Sequence, residues 1–155
     1  MQKTTGGITL RIVKGDDADF LRLTELLVDE YVALYGEEAL SFCPAEALLE
    51  AICAAVAYRG GEAAASGALR RIDESTAELM RIYVRPEFRK QSLGTRIVSG
   101  LEREAKRLGF SRAALITGLD MPAALALYGS LGYVRTVNFG PMLDDPLCVC
   151  MEKHI

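Results

Sequence analysis

The chain has 155 residues, of which 50% are hydrophobic and 25% are charged, and its formal net charge at pH 7 is −3. This length suits one domain with its own hydrophobic core, and this composition excludes intrinsic disorder. Because acidic and basic residues are interspersed, the chain offers no basic face for a nucleic-acid backbone.

The start of the chain, Met1–Gly7, is polar and lacks the basic and then apolar pattern of a signal peptide. No apolar run approaches the roughly 20 residues that cross a bilayer. We therefore expect a cytoplasmic protein with neither a membrane nor a nucleic acid as partner.

The first half of the chain predicts a strand, two helices and an antiparallel meander. Ile8–Val13 alternates apolar and polar residues as a strand does, and an acidic cluster then opens a long amphipathic helix that ends at Gly36. Pro44 predicts the start of a second, smaller helix. Three strands joined by glycine-rich and acidic turns follow, at residues 51–58, 63–72 and 76–84.

The second half alternates helices and strands. Ile97, Leu101, Ala105 and Leu108 mark one face of a helix that ends at Gly109. The remaining predicted elements are a strand at 112–117, a helix at 122–131 and two strands at 133–137 and 147–151. The predicted order is βααβββαβαββ, within a single domain that spans residues 1–155.

The cysteines predict neither a zinc site nor a disulfide framework. Cys43, Cys53, Cys148 and Cys150 include no CxxC pair, and His154 is the one histidine of the chain. Cys148 and Cys150 lie two apart in a predicted strand, so we interpret them as small buried hydrophobic residues on one face.

The segment from Val84 to Thr95 runs from a strand through a basic loop into the start of a helix. The first N–H groups of a helix have no partners within it, and the helix dipole is positive there, so this geometry suits a diphosphate. Arg89 and Lys90 add positive charge. An exposed basic turn capped by Ser92 explains the same residues equally well. A Walker A loop is excluded, because no GK[ST] follows the glycine.

This segment resembles motif A of the GNAT superfamily of acetyl-coenzyme A (acetyl-CoA)-dependent N-acetyltransferases. Arg89 opens the pattern and Gly94 closes it, with Ser92 in place of the inner glycine. Residues 77–86 are similar to the fourth strand of the superfamily, and residues 117–133 to its motif B, with Asp120 where an asparagine is common. The resemblance covers about residues 63–153 and implies an α/β (α+β) fold, a mixed and mostly antiparallel seven-stranded sheet flanked by helices.

The resemblance also implies catalytic roles for two residues. Glu78 stands where many members carry the glutamate that removes a proton from the amine, and Tyr128 where a phenol assists the departing thiolate. The alternatives are a strand-edge carboxylate in contact with solvent or Arg81, and a core aromatic residue on a helix. The backbone N–H of Ile82 or Val84 would stabilise the developing negative charge on the thioester oxygen.

Two further groups of residues are predicted to bind ligands, and no metal is predicted. The residues expected to contact acetyl-CoA are Ile82, Tyr83, Val84, Arg89, Lys90, Gln91, Ser92, Leu93, Gly94 and Thr95. The residues expected to contact the amine acceptor are Tyr31, Tyr35, Phe42, Asp144 and Asp145.

The function that these features predict is transfer of an acetyl group to a primary amine of a small molecule or peptide. Two alternatives stay open from the sequence: a catalytically weak acyl-CoA sensor of the same fold, favoured by Ser92, and a non-enzymatic interaction domain. Exposed strand edges near the C-terminus predict a homodimer.

Overall fold

The computed structural model describes residues 7–119, 121–139 and 145–155, so the predicted positions Asp120 and Asp144 lie outside the described residues. The strands are β1 Ile8–Val13, β2 Ala51–Arg59, β3 Glu62–Arg71, β4 Thr76–Val84, β5 Arg112–Gly118, β6 Val134–Thr136 and β7 Cys148–His154. The α-helices are α1 Ala18–Tyr35, α2 Leu93–Arg107 and α3 Pro122–Ser130. Short 3-10 helices span Glu37–Phe42, Ala45–Glu50 and Pro86–Phe88.

The described strands form one seven-stranded sheet in the order β1-β2-β3-β4-β5-β7-β6. Neighbouring strands are antiparallel except β4 and β5, which pair in parallel because α2 connects them across one face of the sheet. The prediction of a mixed, mostly antiparallel sheet flanked by helices is confirmed, and so is the meander from β2 to β4.

Helix α1 covers one face of the sheet and has the ends that the sequence predicts. The carboxylate of Asp17 accepts a hydrogen bond from the Phe20 N–H at 3.0 Å, and Gly36 ends the helix with a φ of 80°. The apolar side of α1 buries Phe20, Leu23 and Leu27 against β2, β3 and β4. This packing places the C-terminal end of α1 above the C-terminal half of β4.

Helix α2 covers the opposite face. Ile97 and Leu101 are fully buried there. A Cβ at Gly67 in β3 would lie 2.9 Å from the Ile97 Cγ2 and 2.5 Å from the Ile82 Cδ1, so glycine permits this close packing. Within the described residues, no helix is both long enough and apolar enough to cross a membrane.

The connection between α1 and β2 differs from the prediction. In place of one smaller α-helix opened by Pro44, the chain forms two six-residue 3-10 helices, and Pro44 is the N-cap of the second. Six residues allow too few i to i−4 hydrogen bonds to offset helix nucleation, which favours the tighter 3-10 form. Near the C-terminus, Cys150 is buried as predicted, whereas Cys148 is only half-buried.

Candidate active site

Strands β4 and β5 part after a short parallel ladder. Their pairing runs only from Thr76 opposite Arg112 to Glu78 opposite Ala114. Farther along, the pairing of β4 with β3 shifts by one residue at Arg81, which adopts a left-handed backbone with a φ of 57°. An extra residue of this kind is a β-bulge, which bends a strand and increases its local twist. The C-terminal half of β4 therefore diverges from β5 and opens a cleft.

A cavity of about 470 Å³ lies at this cleft. Its walls come from β4, β5, α3, the end of α1 and the 3-10 helices that follow α1. Glu78 and Tyr128 both line it, so the structure brings together the two predicted catalytic side chains. The predicted acceptor residues that line it are Tyr31, Tyr35, Phe42 and Asp145.

Glu78 is buried and ion-paired. Only 7% of its side chain is exposed, and its Oε1 accepts hydrogen bonds from Arg70 Nη2 at 2.6 Å and from Arg70 Nε at 3.2 Å. Arg70 also donates to Glu50 at 3.4 Å. Since Arg70 lies directly opposite Glu78 on β3, cross-strand pairing creates the contact. The alternative expectation of a Glu78 contact with Arg81 is wrong.

Tyr128 lies on α3 with its ring buried. The ring packs edge-on against Tyr133, with the centroids 6.1 Å apart, and its hydroxyl has no hydrogen-bond partner in the part of the chain that the structure describes. Burial raises the pKa of the Tyr128 phenol well above its usual value of 10. The phenol is thus protonated at neutral pH and has an O–H to donate into the cavity.

The loop before α2 presents backbone N–H groups. Lys90 and Ser92 both have left-handed backbones, with φ of 62° and 64°, which costs non-glycine residues about 1 kcal/mol each. The first intrahelical bond runs from the Arg96 N–H to the Ser92 carbonyl, so the N–H groups of residues 93–95 precede the ladder. Ser92 makes no side-chain cap, so the alternative of a turn capped by this serine is wrong.

Arg89 is engaged with α1. Its Nη2 lies 2.9 Å from both carboxylate oxygens of Glu30, and its Nε donates to the Val84 carbonyl at 2.9 Å. The guanidinium also lies over the ring of Tyr83, with its central carbon 5.8 Å from the ring centroid. These contacts fasten the loop to the end of β4, whereas the neighbouring Lys90 is exposed.

Several other predicted coenzyme residues face the protein interior. The Tyr83 side chain packs in the core beneath α1, and Leu93 packs in the core beneath α2, so only their backbones can face a ligand. A Cβ at Gly94 would lie 3.3 Å from Leu127 Cδ2, which ties this glycine to the contact between α2 and α3. The Gln91 Oε1 is buried without a hydrogen-bond partner among the described residues.

Sequence reasoning missed both arginines that line the cavity, Arg70 and Arg81. Arg70 is recognisable only once the register of β3 and β4 is known, because it lies eight residues before Glu78 in the chain. Arg81 lies in a regular strand by its sequence pattern, and nothing in that pattern signals the left-handed backbone.

Comparison with known proteins places these features in a family. A family model described as "Acetyltransferase (GNAT) family" matches residues 20–133. The chain is 35% identical over 101 residues to an Azospirillum brasilense protein named IAA acetyltransferase, a match that covers 64% of this chain and 66% of the relative. An uncharacterized Bacillus subtilis N-acetyltransferase is 27% identical over 101 residues, or 64% of this chain and 67% of the relative.

Solved structures agree in fold. A Klebsiella pneumoniae protein described as a candidate acyl-CoA N-acyltransferase superposes with a TM-score of 0.77 at 30% identity, over 95% of this chain and 97% of the other. The PaiA N-acetyltransferase of Thermoplasma acidophilum, crystallised with coenzyme A, has a TM-score of 0.72 at 20% identity over 96% and 99% of the two chains.

Proposed function

The chain belongs to the GNAT family of acetyltransferases, and from this premise we propose that it moves the acetyl group of acetyl-CoA to a primary amine in a ternary complex. The observation that carries the proposal is that Glu78 and Tyr128 line one cavity where β4 and β5 part. A base for the amine and a donor for the thiolate thus face the same space.

We propose that acetyl-CoA enters from the side of α2. The N–H groups that precede the helical ladder at residues 93–95 are suited to the diphosphate, and exposed Lys90 adds charge beside them. The edge of β4 at Ile82–Val84, beyond the end of its pairing with β5, would pair with the pantetheine arm like an added strand. The Thermoplasma acidophilum protein of the same fold was crystallised with coenzyme A, which supports coenzyme A as a ligand of this chain.

In the proposed reaction the amine attacks the thioester carbonyl directly. A primary amine with a pKa near 10 is mostly protonated at neutral pH, and only its free form is nucleophilic, so Glu78 accepts the proton that the amine loses. The backbone N–H of Ile82 or Val84 donates to the carbonyl oxygen as it becomes negative. The C–S bond then breaks, the nitrogen loses its second proton to solvent as the amide forms, and the coenzyme leaves as its thiolate.

The proposed role of Tyr128 is to donate a hydrogen bond to the departing sulfur. Burial raises the pKa of this phenol above 10, whereas an ordinary thiol has a pKa near 8.5. Full proton transfer from Tyr128 to the thiolate is therefore unfavourable. A hydrogen bond from the Tyr128 hydroxyl stabilises the negative charge that develops on the sulfur, and the proton stays on the phenol.

The proposed acceptor site is the remainder of the cavity, lined by Tyr31, Tyr35, Phe42 and Asp145. Aromatic rings and a carboxylate suit a cationic amine that approaches Glu78. Asp144, which lies outside the described residues, stays a predicted member of this group. A homodimer stays a prediction as well.

Two measurements on the full chain test the proposal. Release of coenzyme A thiol from acetyl-CoA is followed with a panel of amines, amino acids, polyamines and peptides. The panel also includes IAA, because the Azospirillum brasilense relative is named IAA acetyltransferase. In parallel, thermal unfolding is recorded with acetyl-CoA, which at one hundred times its Kd stabilises the folded state by about 2.7 kcal/mol. Turnover with at least one amine, together with this stabilisation, is the expected result.

The acyl-CoA sensor is the second candidate, favoured by Ser92 in a left-handed position that suits glycine and by the engagement of Arg89 with Glu30. Stabilisation by acetyl-CoA without turnover across the whole panel would replace the enzyme with this sensor. If acetyl-CoA does not stabilise the folded chain, both the enzyme and the sensor are rejected, and the non-enzymatic interaction domain is the remaining alternative.

A further inference from the structure

Arg81 is turned into the acceptor cavity by the bulge that it forms. Met80 and Tyr83 both pack beneath α1, and Ile82 packs beneath α2. Side chains of a regular strand alternate between faces, so residues three apart share a face only where an extra residue is inserted. Arg81 is that residue, and it lies on the side of α1, where it lines the cavity.

The Arg81 guanidinium has few partners. Its Nη2 donates to the Pro44 carbonyl at 2.9 Å, and its Nε is buried with no hydrogen-bond partner among the described residues. No carboxylate of the described residues lies within ion-pair distance of it. A guanidinium has five N–H donors and a fixed charge, so this group has no counter-charge among the described residues and one buried N–H without a partner.

The other charges of the cavity are arranged differently. Arg70, the second arginine of the lining, is held by Glu78 and Glu50. Asp145 accepts the Leu147 N–H at 2.9 Å. Glu38, an exposed carboxylate, also lines the cavity. The cavity thus presents carboxylates at Glu38, Glu78 and Asp145, and an arginine three residues beyond Glu78 on β4 that forms an ion pair with none of them.

The backbone of Arg81 is itself unusual. An arginine with a φ of 57° costs about 1 kcal/mol relative to a glycine there, and such outliers concentrate where a side chain has a task in a binding or catalytic site. Apolar and aromatic residues share the cavity lining with Arg81, namely Leu27, Tyr31, Tyr35, Phe42 and Met80.

We propose that Arg81 binds the carboxylate of the acceptor, so that the substrate is an amino acid with an apolar body. The substrate amine faces Glu78, its carboxylate forms a bidentate pair with Arg81, and its apolar part lies against the aromatic wall. This inference rests on the proposed function, since it names the class of acceptor for the same site.

Pairs of acceptors that differ only in the carboxylate test the proposal. L-phenylalanine is compared with phenethylamine, and 6-aminohexanoate with hexylamine, by kcat/KM for coenzyme A thiol release. In at least one pair we expect Arg81→Met to lower the preference for the amino acid tenfold or more. Arg22→Met, which removes an exposed arginine of α1 outside the cavity, should leave that preference within twofold.

Two further variants separate charge from folding. Arg81→Gly accommodates the left-handed backbone without strain and should lose the preference as Arg81→Met does. Arg81→Lys keeps a cation and should retain part of it. If Arg81→Met and Arg81→Gly both leave the preference within twofold of the unmodified protein in each pair, the proposal is wrong, while acetyl transfer stands on its own.

A binding measurement tests the carboxylate site even if the protein does not turn over. With coenzyme A present, L-phenylalanine or 6-aminohexanoate should raise the thermal midpoint of the unmodified chain and not that of Arg81→Met. This result without turnover would support the carboxylate site and reject the acetyltransferase. If neither amino acid raises the midpoint of the unmodified chain and neither is acetylated, the carboxylate site is rejected.

Discussion

Replacing Glu78 by glutamine removes the proposed base with little change in shape. At pH 7 an amine with a pKa near 10 is about 0.1% free, and at pH 9 about 10%, so a variant that depends on free amine alone gains roughly a hundredfold between these pH values. General bases contribute roughly 10²–10⁴ in rate. We expect a loss of about 10³ at pH 7 that shrinks towards about 10 at pH 9, measured as kcat/KM for thiol release.

The ion pair with Arg70 gives the same substitution a structural effect. The carboxylate accepts two hydrogen bonds from Arg70, and hydrogen bonds to charged groups contribute about 1.5–3 kcal/mol. Glutamine keeps one acceptor oxygen, so we expect the free energy of unfolding to fall by about 1–3 kcal/mol, measured by urea unfolding.

Arg70→Gln is the matched control, because it breaks the same ion pair and leaves the Glu78 carboxylate in place. If Glu78 is the base, the loss of activity in Arg70→Gln is smaller than in Glu78→Gln and varies less with pH. Equal losses in both variants at every pH would show that Glu78 acts only through the ion pair, and the assignment of the base would be abandoned.

Three other changes test separate parts of the site. Tyr128→Phe should lower kcat about 10–100-fold and change the free energy of unfolding by less than about 1 kcal/mol, since the hydroxyl has no partner among the described residues; an unchanged kcat would remove Tyr128 from the reaction. Ser92→Gly removes the strain of a left-handed serine and should leave the free energy of unfolding unchanged or raise it by up to about 1 kcal/mol. Ser99→Gly, within α2, should lower it by about 0.5–1 kcal/mol. Equal thermal midpoints for the two variants would show that the left-handed backbone of Ser92 is not strained. Burial raises the pKa of Tyr31 from 10 to about 12 in the folded state. The folded protein therefore holds the phenol proton more tightly than the unfolded chain, so this group does not lower the free energy of unfolding below pH 10 and lowers it as the pH rises from 10 towards 12. Tyr31→Phe should therefore spare about 1 kcal/mol of the stability lost between pH 8 and pH 11, and an unchanged loss in urea unfolding would count against the burial of this phenol.

Features that depend on neighbours in the sequence were predictable. Asp17 caps α1, Gly36 ends it, and strand β4 spans Thr76–Val84 as its pattern indicates. Capping, glycine stops and period-two alternation act within a few residues, so they are readable without the fold. The segment around Pro44 was predicted less well, because 3-10 and α helices share their local signals.

The shared position of Glu78 and Tyr128 was predicted by resemblance rather than by spacing. The two residues lie fifty positions apart, on a strand and on a helix, and only the parting of β4 from β5 makes them line one cavity. Arg89 shows the converse: its place in a basic loop predicts positive charge for a diphosphate, and the structure pairs it with Glu30, fifty-nine residues earlier.

The sequence by itself determined the order of strands and α-helices, the ends of α1 and β4, and the family that they resemble, because these follow from local preferences and ordered motifs. Only the tertiary structure decided which charges meet. The register of β3 against β4 places Arg70 on Glu78, and one inserted residue turns Arg81 into the cavity. A shift of one residue reverses the face of every side chain that follows in a strand, and register depends on pairing between distant segments that no local pattern specifies.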